Sequence, residues 1–192
     1  MFNIGTIIQL FILLNPLDST PFLIQANNDG MNVKAVALKA VLFAFLIAVV
    51  MALAGPLLFS VLGINLDSFR IAGGLVLLLL GLDMVRPKSE PKVFHEIDGL
   101  ITIIATPMLT GPATISFITI KAYEIGLTSI LVDIVCSFTL VGIVFFLLSV
   151  IISRVNEKLI NILARIMGLF VMTVAIEMIA NGGHAVIATL LK

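Results

Sequence analysis

Polar residues fall in short clusters along this chain, and between them lie six apolar runs: Ile4–Gln25, Val36–Leu62, Ser68–Val85, Leu100–Tyr123, Thr128–Ile152 and Ile160–Ile179. A run of about 20 mostly apolar residues is long enough to cross the hydrocarbon of a bilayer as a helix. The pattern therefore predicts an all-α membrane protein with six transmembrane helices. Between the first two runs, Asn27-Asn28-Asp29-Gly30 reads as a polar turn. Gly63-Ile64-Asn65-Leu66-Asp67-Ser68 reads as a tight turn in which Asp67 or Ser68 caps the third helix. The one long polar segment, Arg86 to Asp98, divides the chain. Residues 1–85 form a first three-helix repeat, 86–99 a linker and 100–192 a second three-helix repeat.

Two runs are interrupted where a span should be plainest. The first holds Asn15-Pro16-Leu17-Asp18-Ser19-Thr20-Pro21, and the fourth holds Thr106-Pro107-Met108-Leu109-Thr110-Gly111-Pro112-Ala113-Thr114. Aligning Pro16 with Pro107 lays Ser19 on Thr110 and Pro21 on Pro112. Proline lacks a backbone N–H and clashes with the preceding turn, so Pro16 with Pro21, and Pro107 with Pro112, should each end one half-helix and start another at mid-membrane. Thr20-Pro21 and Gly111-Pro112 read as an N-cap followed by proline at the first helical position. Gly55-Pro56 in the second run has no polar companions and reads as a structural kink.

The repeat extends past the breaks, because Arg70-Ile71-Ala72-Gly73 in the third run matches Arg165-Ile166-Met167-Gly168 in the sixth. Three spans is an odd number, so the second repeat must start from the opposite side of the membrane. The expected fold is thus two inverted repeats of three, with spans one and four broken, an arrangement common in secondary transporters. Gly74 and Gly81 share a face of the third helix and would admit a close helix neighbour, although glycine is also common in membrane helices generally.

Composition agrees with the pattern: 60% of the 192 residues are hydrophobic and 11% charged, against roughly 25% charged in soluble domains. Eleven basic and eleven acidic residues give a formal net charge of +0, which offers no field for nucleic acid. Lys34, Lys39, Arg86, Lys88, Lys92, Arg154 and Lys158 follow the odd-numbered spans, while Lys121, Lys192 and Arg70 lie toward the other side. Basic residues favour the cytoplasm, so both termini are expected outside a plasma membrane. Arg70 and Arg165 are expected to snorkel or to neutralise a carboxylate.

Chemistry of other kinds is missing from the sequence. His95 and His184 are isolated, and no ligand spacing joins them to Cys136, so no metal site or cofactor is expected. Cys136 reads as a small buried core residue. Ser19 and Thr110 have no histidine or lysine base nearby, so the hydroxyls suit capping better than nucleophilic catalysis, and no enzyme is expected.

The segments Asn15-Pro16-Leu17, Phe69-Arg70-Ile71-Ala72-Gly73-Gly74, Thr110-Gly111-Pro112-Ala113-Thr114-Ile115 and Ala164-Arg165-Ile166-Met167-Gly168 together resemble those of the MarC family of integral membrane proteins, over essentially the whole chain. The chain departs from the family at Thr106-Pro107-Met108-Leu109-Thr110-Gly111, where members often read MPSTAG. The resemblance implies a place among neutral amino acid transporters and a glycine or alanine substrate driven by an ion gradient. Asn15, Ser19, Thr20, Thr110, Gly111 and Thr114 are the expected substrate-binding residues. The transported coupling ion, a proton or sodium, would use Asp18, which alone of the acidic residues falls near mid-span beside a break; a helix cap would also explain it. Asp83, Asp133 and Glu177 read as interfacial, solvated or paired with arginine. The expected partners are a small neutral amino acid and the lipid bilayer, with a homo-oligomer allowed. The competing readings are a membrane scaffold or regulator that transports nothing, and an exporter of other small solutes.

Overall fold

In a computed structural model of the chain, residues 3–17, 19–86, 111–152 and 157–190 are described. Asp18, Pro107, Thr110, most of the Arg86–Asp98 linker and the first half of the fourth span lie outside them. The described residues form seven helices: α1 Ile4–Leu14, α2 Thr20–Asn28, α3 Val33–Leu62, α4 Leu66–Val85, α5 Pro112–Ile125, α6 Leu127–Ile151 and α7 Glu157–Leu190. No strand occurs among them. Four helices, α3, α4, α6 and most of α7, are long and apolar enough to cross a membrane.

The first span is broken as its prolines require. Asn15 ends α1 in the left-handed conformation, φ 35, with its N–H on Phe11 O. Pro16 has no N–H to offer the Ile12 carbonyl, so the helix cannot continue. The restart differs by one residue from the sequence expectation. Ser19, not Thr20, is the N-cap of α2, and Pro21 occupies the second helical position rather than the first. Ser19 already has helical angles, and its carbonyl accepts from Phe22 N and Leu23 N, which draws the helix start forward. At the start of α5 Gly111 is the N-cap and Pro112 the first helical residue, as expected; whether a half-helix precedes them falls outside the described residues. Gly111 is extended there (φ −66, ψ 173), the conformation that a following proline favours.

α3 continues through Pro56 as one helix, so Gly55-Pro56 is no break. Two other elements depart from expectation. Asn65, not Asp67 or Ser68, caps α4, its Oδ1 accepting from Asp67 N at 2.8 Å. α7 extends well past Ile179, through the pair Gly182-Gly183, to Leu190. At about 1.5 Å per residue it is longer than a bilayer core is thick.

Two antiparallel helix pairs frame the molecule. α4 lies on α7 along a glycine seam: Gly74 faces Ala175 and Ile179, Gly81 faces Gly168 and Met172, and Gly182 faces Asp67 and Ile71. A Cβ on Gly74 would lie 2.9 Å from Ala175 O, so a side chain there would force the backbones apart. The close-neighbour expectation for Gly74 and Gly81 is therefore met. α3 lies on α6 with Phe45 against Phe138, Val41 beside Gly142, and the Lys34 ammonium over the Phe146 ring.

α5 occupies the middle, touching α1, α3, α4 and α6. Ala113, Thr114, Ser116, Phe117, Ile118, Thr119 and Ile120 are all buried, leaving it no lipid-facing stripe over that length. Small partners make room: Gly55 of α3 faces Thr119, and Gly73 of α4 faces Ser116. The outer surfaces of α3, α4, α6 and α7 expose leucine, isoleucine, valine and phenylalanine, as helices in contact with lipid do.

Candidate functional site at the helix break

A tight left-handed bend at the end of α1 positions the first group of candidates. Asn15 is only 4% exposed and Thr20 0%. Asparagine tolerates the left-handed region better than other residues with a side chain, which explains its presence where glycine would otherwise serve. Its Nδ2 lies 3.9 Å from Met84 Sδ on α4, a weak contact, and its Oδ1 has no partner. The Thr20 hydroxyl oxygen also has no partner. Buried polar groups in proteins are nearly always hydrogen-bonded, so two orphaned oxygens flanking one break call for an explanation. Ser19 is fully buried with its own bonding, and its side chain makes no capping bond to α2.

The second group lies at the start of α5. Gly111 and Thr114 are buried, and Ile115 N reaches Gly111 O at 3.0 Å. Proline at the first position leaves Ala113 and Thr114 to present the first N–H groups, which have no acceptor within the helix. Such a helix start favours negative charge. The structure therefore buries Asn15, Ser19, Thr20, Gly111 and Thr114 and brings α1 against α5. Thr110 and Asp18 lie outside the described residues.

A cavity of about 50 Å³ opens one turn along α5 from Thr114, between α1, α4, α5 and α7. Gln9, Arg70, Phe117, Lys121, Glu124 and Asn181 line it. It has room for a few water molecules. Arg70 closes one side: its Nη1 donates to Asp67 at 2.6 Å, and its Nη2 pairs with Glu124, which Lys121 also holds at 2.8 Å. This bears out the expectation that Arg70 neutralises a carboxylate, and identifies Glu124 as a partner the sequence reading missed. Arg165, which the sequence matched to it, is exposed.

Asp133 corrects another expectation. It is 0% exposed rather than interfacial, and no ion pair with arginine holds it among the described residues. One oxygen accepts from Asn3 N at 3.1 Å, and Oδ2 has no partner. Asp83 and Glu177 are exposed, and because α7 continues to Leu190, Glu177 lies within the helix and not at its end. Cys136 is half-buried rather than buried. No cluster of metal-ligating side chains occurs among the described residues.

Comparison with known proteins places this architecture. The profile of the family described as "MarC family integral membrane protein" matches residues 1–187. The UPF0056 membrane protein MJ1677 of Methanocaldococcus jannaschii is 33% identical over 188 residues, covering 91% of this chain and 92% of its own. The UPF0056 membrane protein of Aquifex aeolicus is 28% identical over 190 residues (91% and 89%), and UPF0056 membrane protein YvbG of Bacillus subtilis is 25% identical over 197 (94% and 93%). No solved structure matches. These names assign no activity, but the extent of the matches is decisive for kinship: the chain belongs to the MarC family of integral membrane proteins.

Proposed function

We propose that the protein is a secondary active transporter of small neutral amino acids, glycine or alanine, coupled to a proton or sodium gradient across the cell membrane. The observation that carries this reading is the pair of buried, unpartnered oxygens, Asn15 Oδ1 and Thr20 Oγ1, on either side of the break between α1 and α2. A helix-packing scaffold has no use for unsatisfied acceptors, whereas a binding site for an ammonium group needs them. The start of α5 supplies the complementary half, since free N–H groups at Ala113 and Thr114 suit a carboxylate. Gly111, buried at the N-cap of α5, would lie on this side of the site, and the absence of a side chain there suits a small substrate.

The inverted repeat is part of the proposal. Spans two and five correspond to α3 and α6, and spans three and six to α4 and α7. Each pair lies antiparallel, as helices related by an axis in the membrane plane would. On this reading both termini face outside and the segment around Ser89 faces the cytoplasm. A single cysteine at Ser89, in a chain lacking Cys136, will be protected from an impermeant thiol reagent applied to intact cells; labelling from outside reverses the topology.

Proteoliposomes containing the protein will accumulate labelled glycine or alanine when either a proton or a sodium gradient is imposed. No uptake of either amino acid, in either direction and under either gradient, would sink the proposal. Gly111→Leu will abolish uptake while the protein still folds, and unchanged uptake by that variant removes the pocket from α5.

A further inference from the structure

Asp133 is the third buried side chain with an orphaned oxygen among the described residues, and the helix break does not use it. It lies inside α6 facing the start of α1. Two contacts stitch these helices together: Asn3 N donates to Asp133 Oδ1 at 3.1 Å, and the Ser137 hydroxyl, one turn on, lies 3.2 Å from Ile7 O and 2.8 Å from Asp133 O. Both side chains are completely buried. Ser137 is fully accounted for by those carbonyls, but Asp133 Oδ2 is not.

Among the described residues no charged side chain on the neighbouring helices compensates it. α1 contains no ionisable residue. On α3 the ionisable groups are Lys34 and Lys39, and the register set by Lys34 on Phe146, Val41 beside Gly142 and Phe45 on Phe138 puts both at the far end of α6. Continuing that register brings Asp133 level with the buried alanines Ala48 and Ala52. On α5, Glu124 bonds both Lys121 and Arg70, and Tyr123 is exposed. On α6 itself the other ionisable group is Cys136, half-buried and one turn away. The chain's α-amino group stands two residues before Asn3 in the sequence, and the test below controls for it. A carboxyl group held in an apolar span without a countercharge is costly and marks ion and proton paths in membrane proteins.

We propose that Asp133 is a coupling-ion site: Oδ2 takes up a small monovalent cation, H⁺ or Na⁺, at the start of α1, while Oδ1 keeps its bond to Asn3. Occupancy then bears on α1, the half-helix that ends at Asn15, so the cation and the substrate act on opposite ends of one short rigid element. This rests on the transporter reading, and places the coupling group at Asp133 rather than Asp18.

The test measures cation binding apart from transport. Thermal unfolding of the purified protein in detergent is followed against pH at fixed salt, kept above about 5.5 so that the acid limb of Glu124 does not enter, and against Na⁺ replaced by choline at fixed pH. The wild type will be stabilised by one of these cations, and which one identifies the ion. Asp133→Asn preserves the Oδ1 acceptor and will lose that dependence. Asp18→Asn, Glu124→Gln and a chain with an N-terminal extension will keep it. Loss of the dependence in Asp18→Asn with retention in Asp133→Asn overturns the proposal, as does a wild type responsive to neither cation. Should Asp133→Asn fail to fold, carbodiimide labelling of the wild type decides: modification located at Asp133 and suppressed by the active cation supports the site, and labelling insensitive to both cations rejects it. In proteoliposomes Asp133→Asn will lose gradient-driven accumulation and retain substrate counterflow. Absence of counterflow in the wild type would defeat the transporter reading and leave the cation-binding result standing by itself.

Discussion

Arg70 on α4 and Glu124 on α5 form an ion pair between helices, and each holds a second partner on its own helix, Asp67 for Arg70 and Lys121 for Glu124. The network ties the central helix to the α4–α7 pair at the rim of the cavity. Burial pushes the Glu124 carboxyl up, but hydrogen bonds from Lys121 and Arg70, with their charge, outweigh burial and hold the group below its ordinary 4.5. A carboxyl depressed in the folded state contributes stability that is present above the unfolded value and is lost as pH falls through the folded one. Unfolding of the wild type will therefore become easier as pH drops below about 4.5, and Glu124→Gln will show a shallower fall in that window. At neutral pH the same variant will lose no more than about 1 kcal/mol, because these groups are part-exposed and screened. An identical acid limb in wild type and variant would show that the network contributes nothing.

The Thr20 hydroxyl separates stability from function. Thr20→Val removes a buried oxygen without a partner while keeping the side-chain shape. Stability is expected to hold or rise, by up to about 1–3 kcal/mol, the usual cost of an unsatisfied buried group. Uptake is expected to fall at least tenfold. Destabilisation with normal uptake would make Thr20 a structural cap.

Asn15 carries a backbone demand as well as a chemical one. Asn15→Gly satisfies the left-handed angle and lacks the amide, so it should fold normally and lose uptake. Asn15→Val meets strain of roughly 1–3 kcal/mol, because a β-branched residue resists that conformation. Comparison of the two melting curves checks the backbone term, and uptake by the glycine variant checks the amide.

The seam between α4 and α7 predicts a contrast among glycines. At Gly81 a Cβ would lie 2.5 Å from Met172 Cγ and 3.0 Å from Gly168 O, whereas at Gly183 it would meet nothing within 4 Å. Gly81→Ala should destabilise by about 1–3 kcal/mol through overpacking. Gly183→Ala should be neutral or stabilising by about 0.5–1 kcal/mol, since alanine suits a helix interior better. Equal melting temperatures for the two variants would refute a tight seam.

The first break was legible because Pro16 stands beside Asn15, Ser19 and Thr20, local groups that can cap the helix ends a proline frees. The N-cap shift from Thr20 to Ser19 was not, because both residues are capping types and the choice depends on backbone angles. Pro56 was readable as lying within its span for the converse reason: it has no polar cluster to cap the ends that a break would expose. Asp133 was misread for a different reason. Its distance along the chain from a helix end suggested water, yet its surroundings are set by Asn3 and Ile7, which lie far away in sequence and come to it only through the α1–α6 contact. Glu124 was missed likewise, since Arg70 finds it across two helices.

The enclosure of α5 has a consequence for biogenesis. Its sides carry Thr114, Ser116 and Thr119 at its start and Lys121 and Glu124 near its end, a pattern that hydrocarbon alone would not accept. The long apolar helices α3, α4, α6 and α7 can each enter lipid unaided. The polar side chains of α5 are therefore accommodated only where Gly55 and Gly73 leave recesses and Arg70 supplies its charge.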